Sequence, residues 1–206
     1  VSKAEGVWSE AANWSFVPGG AGGAPAPVST NAVVFGYQHG NCLIDSDVEV
    51  ATMTLAGYAG VLKTQGFNVV ISSWFRQSTG FVELGTSVVT MKGDFLRDGG
   101  SFDAGGSTLV LTGNDKTFTG HGDKSVNNLT LAGRLTLSAD TGARQEAAGQ
   151  TVVRSTVTLD REFRVGGGLK VEAAGAIRGT ESLVFGNLAS LDQKDGPISC
   201  AATVFE

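Results

Sequence analysis

From residue 53 to residue 133 the apolar positions lie two apart, and the whole arrangement returns every twenty residues. One apolar column holds Val69, Val89, Leu109 and Leu129, and a second holds Ile71, Met91, Leu111 and Leu131, with Thr90, Val110 and Thr130 between them. Alternation of this kind is a strand with one face turned inward. A third apolar column, Leu62, Val82 and Phe102, stands two residues after the glycines Gly60, Gly80, Gly100 and Gly120. The next position carries Lys63, Glu83, Asp103 and Asp123, and a later one Ser73, Gly93, Gly113 and Gly133. Phe75 and Phe95 also match, as an interior or corner stack.

Leucine-rich repeats share the period but need an L-x-x-L-x-L frame with Asn or Cys, and calcium-binding nonapeptide arrays need G-G-x-G-x-D tandems. Neither pattern is present. The expected fold is all-β, a single-stranded right-handed parallel β-helix of about 20 residues per coil. Coils stacked about 4.8 Å apart set like residues over like, and glycine recurs where the backbone turns sharply. On this reading Gly60, Gly80, Gly100 and Gly120 share one corner, and Val69, Val89, Leu109 and Leu129 share one interior ladder.

After Gly133 the strict period loosens, yet Leu135/Leu137, Val157/Leu159, Phe163/Val165, Leu169/Val171 and Leu183/Phe185 keep the alternation. The expected division is an N-terminal cap over 1–47 and a β-helix over 48–206, with regular coils at 53–133 and looser ones at 134–206. Together they form one folded unit. The alanine-rich stretch Ala143 to Gln150 is expected to leave the coils as one or two helical turns.

A solenoid exposes unpaired strand edges at its ends. Trp8, Trp14 and Phe16 are therefore expected to plug the first coil, with Gly19 to Pro27 as a loop and Val33, Val34 and Phe35 as a returning strand.

Composition narrows the function classes. The 206 residues include 30 Gly, are 41% hydrophobic and 17% charged, and carry a net charge of -5. The chain is thus folded and turn-rich, and it lacks the clustered Lys and Arg that phosphate binding requires. Nucleic acid is not an expected partner. No apolar stretch approaches the roughly 18 residues of a membrane helix, and Val1-Ser2-Lys3-Ala4-Glu5 has no apolar run of a signal peptide. Membranes are not expected partners either. Cys42 and Cys200 stand far apart with no second ligand nearby and are read as reduced, buried thiols.

Candidate chemistry is sparse. Carboxylates of the column Lys63, Glu83, Asp103 and Asp123 would sit about 5 Å apart, near the separation in retaining glycosidases. A solvated ladder explains the column as well. Asp45, Asp47 and Glu49 alternate as if on one strand face, but a hard cation needs about six oxygens or more. His39 and His121 each stand beside a glycine with no nucleophile tied to them. Arg154, Arg161, Arg164 and Arg178 are a dispersed basic set, and Trp74 is an aromatic with no counterpart in the neighbouring units. No catalytic residue, metal ligand or cofactor is assigned.

Trp8, then Asn13-Trp14-Ser15, the run Gly19–Ala24 (GGAGGA), Pro27, NAVVFG and ATMTLAGYAGVL together resemble the start of β-solenoid structural proteins of tailed-bacteriophage virions and bacterial surfaces. The resemblance covers roughly residues 6–62. It implies virion or cell-surface structural work; together with the absent signal segment and catalytic set it ranks a non-enzymatic virion component first, and the lack of coiled-coil heptads favours a capsid decoration or cement protein over a fibre shaft. Alternatives are a tail-fibre adhesin or a secreted carbohydrate-binding solenoid, then a polysaccharide lyase or hydrolase. The expected partners are the major capsid protein or other virion proteins and further copies of the chain, as a trimer. Trp8, Trp14 and Trp74 are the candidate partner contacts, and the expected location is the virion, assembled in the host cytoplasm.

Overall fold

The computed structural model describes residues 5–17, 19–37, 40–121, 126–139, 145–186, 189–194 and 196–205. It is a parallel β-solenoid of about eight turns with about 20 residues between successive turns. Each regular coil contributes one strand to each of three walls.

The first wall begins with short strands at Glu5–Val7, Asn41–Leu43, Val61–Lys63, Phe81–Glu83 and Ser101–Asp103, all paired in parallel. The same place in later coils is taken by Gln145–Ala147, Phe163–Val165, Leu183–Phe185 and Thr203–Phe205. The second and third walls belong to one continuous sheet. Val48–Leu55 and Val69–Gln77 run through both walls as single strands. In the next coil the same path is split into Val88–Met91 and Asp94–Arg97.

The split has a steric cause. A Cβ on Gly93 would fall 1.3 Å from the Ser73 carbonyl oxygen, so the bend between the walls brings one coil's backbone onto the next and leaves no room for a side chain. Gly113 and Gly133 continue that column, each with a backbone carbonyl of the preceding coil where a Cβ would stand.

The interior ladders follow the alternation. Val69, Val89, Leu109 and Leu129 are in register and buried, as are Ile71, Met91, Leu111 and Leu131. On the third wall Phe75, Phe95 and Phe118 stack, with centroids 4.9 and 4.8 Å apart and both pairs 18° from parallel. In the looser half, Leu135/Leu137, Val157/Leu159, Phe163/Val165, Leu169/Val171 and Leu183/Phe185 all point inward.

Several expectations change. Gly120 does not share a corner with Gly60, Gly80 and Gly100: it ends the strand Lys116–Gly120 opposite Ala139, one place beyond Thr119, which pairs with Leu96. The turn at Asn114-Asp115 lengthens the coil before the third wall and shifts the count. Gln145–Ala147 is a strand rather than helix, because pairing with Phe163–Val165 and with Val126 overrides the helix preference of alanine. Residues 140–144, and Asp123 of the expected charged column, lie outside the described residues. Strand pairing also extends upstream of residue 48, since Ala32–Phe35 and Asn41–Leu43 are in register with the coils that follow.

At the N-terminal end Trp8 is 2% exposed and meets Trp14 edge-on at 4.7 Å. Trp14 contacts Phe35 at 6.0 Å, and Phe35 contacts Tyr58 at 5.1 Å. Phe16 takes no part, being 84% exposed, because the chain bends at Phe16-Val17 and points it outward. The glycine-rich loop folds back on a short 3₁₀ turn at Ala11–Asn13, with Gly23 N–H donating to Ala11 O and Ala24 N–H to Trp14 O.

Candidate functional site

The carboxylate column exists as a register. Lys63 pairs with Glu83 and Glu83 with Asp103 along the first wall, where outward parity follows from Leu62, Val82 and Phe102 pointing in. The two carboxylates do not act on a shared point. Glu83 turns to Lys63 at 3.4 Å, and Asp103 accepts from its own turn's Gly105 N–H at 2.9 Å. Each carboxylate ties backbone or coil together.

Asp45, Asp47 and Glu49 likewise diverge. Asp45 and Asp47 lie in the turn between Asn41–Leu43 and Val48–Leu55, so the strand alternation does not apply to them. Asp45 accepts from the Ser9 N–H at 3.0 Å and the Ser9 hydroxyl at 2.5 Å, bonds that hold its carboxyl below the usual range. Asp47 accepts from Asn68 N–H and its side-chain amide, while Glu49 pairs with Lys92 at 3.2 Å. Among the described residues no three His, Cys, Asp or Glu are grouped to hold a metal ion.

The arginine set does not form one patch. Arg154 pairs with Glu172 at 3.3 Å, Arg164 is half-buried on the first wall, and Arg178 is exposed on the third. His121 is half-buried and His39 lies outside the described residues. Cys42 and Cys200 are both free; Cys42 is buried, whereas Cys200 is half-buried near the last coil. Burial, with a smaller contribution from the Asp45 charge, pushes the Cys42 thiol up to about 12.

Of the three tryptophans, Trp74 is the accessible one, 40% exposed on the third wall between Thr52 and Asp94. Beside it Arg76 and Asp98 pair at 2.7 Å. Trp8 is buried, and Trp14 is half-buried with its indole N–H donated to Trp8 O at 2.6 Å.

A polar cluster inside the solenoid was not foreseen. Arg97, 3% exposed, donates from Nε to Gln77 Oε1 at 3.0 Å and lays its guanidinium 4.3 Å from the Phe102 ring centroid. Gln77 in turn donates to Ser101 O at 2.8 Å. Burial draws the Arg97 guanidinium down to about 10. At another corner Ser87 donates to Thr64 Oγ1 at 2.6 Å, and Thr64 to Leu84 O at 2.7 Å. Sequence parity was the available signal: Gln77 and Arg97 follow Phe75 and Phe95 by two, so they share the inward face.

These contacts knit coils to one another. No protein-family model, curated protein or solved structure compared with this chain matches it.

Proposed function

We propose that the protein is a non-enzymatic structural component of a bacteriophage virion, a decoration or cement protein on the outer face of the capsid that works as a homo-oligomer and contacts coat protein. The observation that carries this reading is the work done by the motif residues of the N-terminal stretch. Asn13 donates from Nδ2 to Val7 O at 2.9 Å, and Trp14 holds Trp8 O and packs on Phe35. The residues behind the resemblance serve to fasten the first coil, as a cap on a solenoid end would. Outside, pairs such as Lys63–Glu83, Arg76–Asp98 and Arg154–Glu172 link successive coils and stiffen the rod.

Mass spectrometry of purified virions tests this: the chain is expected in many copies, with cryo-electron microscopy placing it outside the shell. Its recovery only from the medium of uninfected cells overturns the reading. The exposed Trp74 favours a second reading, a carbohydrate-binding solenoid, since an open indole beside a fixed ion pair suits a sugar face. Glycan-array binding lost in Trp74→Ala would support that alternative.

A further inference from the structure

The second wall presents an outward column that reads, coil by coil, Glu49, Val70, Thr90, Val110, Thr130, Val152, Lys170 and Asp192. Five neutral β-branched residues, all half-buried, thus lie between the acid Glu49 and the base Lys170, beyond which Asp192 follows in the next coil. The flanking column continues the neutral character with Val88, Thr108 and Asn128. Such side chains are stiff and stand in straight rows, so the surface is flat and costs little entropy to order against another.

We infer that this wall is a self-docking surface on which two copies of the chain pack side by side in antiparallel directions, related by a two-fold axis at Val110. The axis sets Val110 against the partner's Val110, Thr90 against the partner's Thr130, Val70 against the partner's Val152, and Glu49 against the partner's Lys170. The partner's Arg154 then comes to Ser72, to which Glu49 is bonded at 3.4 Å. An isologous contact of this kind requires that the column complement itself when reversed, and from Glu49 to Lys170 it does.

Charge selects the direction. Asp47, Glu49 and Lys92 leave the N-terminal end of the face with a net negative charge, and Arg154, Lys170 and Lys194 against Glu172 and Asp192 leave the C-terminal end net positive. Two copies docked on this wall in the same direction would bring like ends together, which is unfavourable. Six coil spacings of about 4.8 Å and four-residue strands give a patch of roughly 400 Å² per copy, half the standard ~800 Å². The dimer is therefore a weak, concentration-dependent one. This inference bears on the homo-oligomer of the proposed function but does not rest on where the chain is found.

Sedimentation velocity of the full chain from about 1 μM to 1 mM tests it. A monomer–dimer equilibrium is expected, with dimerisation weakened at least tenfold by Val110→Arg, which sets like charges together at the axis. Glu49→Lys alone is expected to weaken the dimer about as far, and Glu49→Lys combined with Lys170→Glu to restore it. Circular dichroism confirms that each variant is folded. A monomer throughout, a trimer, or a double variant no better than the single one overturns the inference, and none of these outcomes bears on whether virions contain the chain.

Discussion

Phe95 stacks on Phe118 with ring centroids 4.8 Å apart, although 23 residues separate them where Phe75 and Phe95 are 20 apart. The extra residues form the turn at Asn114-Asp115, where Asp115 adopts a φ of 55° and binds the Arg134 side chain of the next coil through both carboxylate oxygens. The aromatic ladder is thus kept in place while the chain between its members lengthens. Phe95 is the middle of three rings and also meets Phe102 edge-on at 6.4 Å. Phe95→Ala is expected to cost about 3–5 kcal/mol, read by urea denaturation, because neighbouring coils are fixed and cannot collapse into the space.

Gly93→Ala is expected to be as damaging, although it adds a single methyl. The new Cβ meets the Ser73 carbonyl oxygen at 1.3 Å, and that oxygen belongs to backbone held in its own ladder. Relief requires separating two coils, so a loss of several kcal/mol or failure to fold is expected. A melting temperature within a degree or two of the parent would show that the bend is more yielding than its geometry implies.

The period of twenty made the second wall legible, because its inward residues keep that spacing from Val69 to Leu129. The third wall was less so. A strict count of twenty places Asn114-Asp115 opposite Asp94-Phe95 and Gly120 opposite Gly100, whereas the alternation in Lys-Thr-Phe-Thr marks Phe118 as the inward residue. Pattern was the better guide than number. Arg97 and Gln77 were read past because polar residues are presumed to face outward, and only their parity with Phe95 and Phe75 places them inside. The Trp8–Trp14 pair was legible as an aromatic cluster, while the outward turn that exposes Phe16 depends on hydrogen bonds such as Val17 N–H to Ser15 Oγ.

Thr151 occupies an inward position of the second wall, between Leu129 and Leu169, and is fully buried with no partner for its hydroxyl among the described residues. A buried hydroxyl without a hydrogen bond costs about 1–3 kcal/mol. Thr151→Val keeps the shape and removes that cost. It is expected to raise stability by about 1 kcal/mol in chemical denaturation, and a decrease would show that the hydroxyl has a partner.

Gln65 has a φ of 53°, and Gly85 and Gly105, at the same place in the next two coils, have φ of 55° and 52°. A side chain in this left-handed region costs about 1–2 kcal/mol, which glycine avoids at some loss of chain entropy. Gln65→Gly is therefore expected to stabilise by a few tenths to about 1 kcal/mol. A destabilisation of similar size in thermal melts would mean that the Gln65 side chain makes contacts worth more than the strain.

The alkaline limb of stability is set by two buried acids beside the first coils. Burial raises Cys42 to about 12 from 9.0, and it also raises Tyr58, whose hydroxyl donates to Gly40 O at 2.8 Å and Val61 O at 3.1 Å. Both folded-state values lie above the unfolded ones, so the folded chain binds more protons as pH passes 9, and stability falls as pH rises. Arg97 has the opposite sign, since burial lowers it to about 10 from 12.5 and its contribution increases with pH only above about 10. Between pH 9 and 10 Cys42 acts almost alone, and a loss of about 1 kcal/mol is expected from the raised thiol. Melting temperature should fall across that interval in the parent and stay nearly level in Cys42→Ala, whatever the variant's baseline. In the folded parent at pH 8, a thiol reagent should label Cys200 rapidly and Cys42 only at the rate of unfolding. Equal labelling of the two, or an alkaline fall that survives in Cys42→Ala, would place the cause elsewhere.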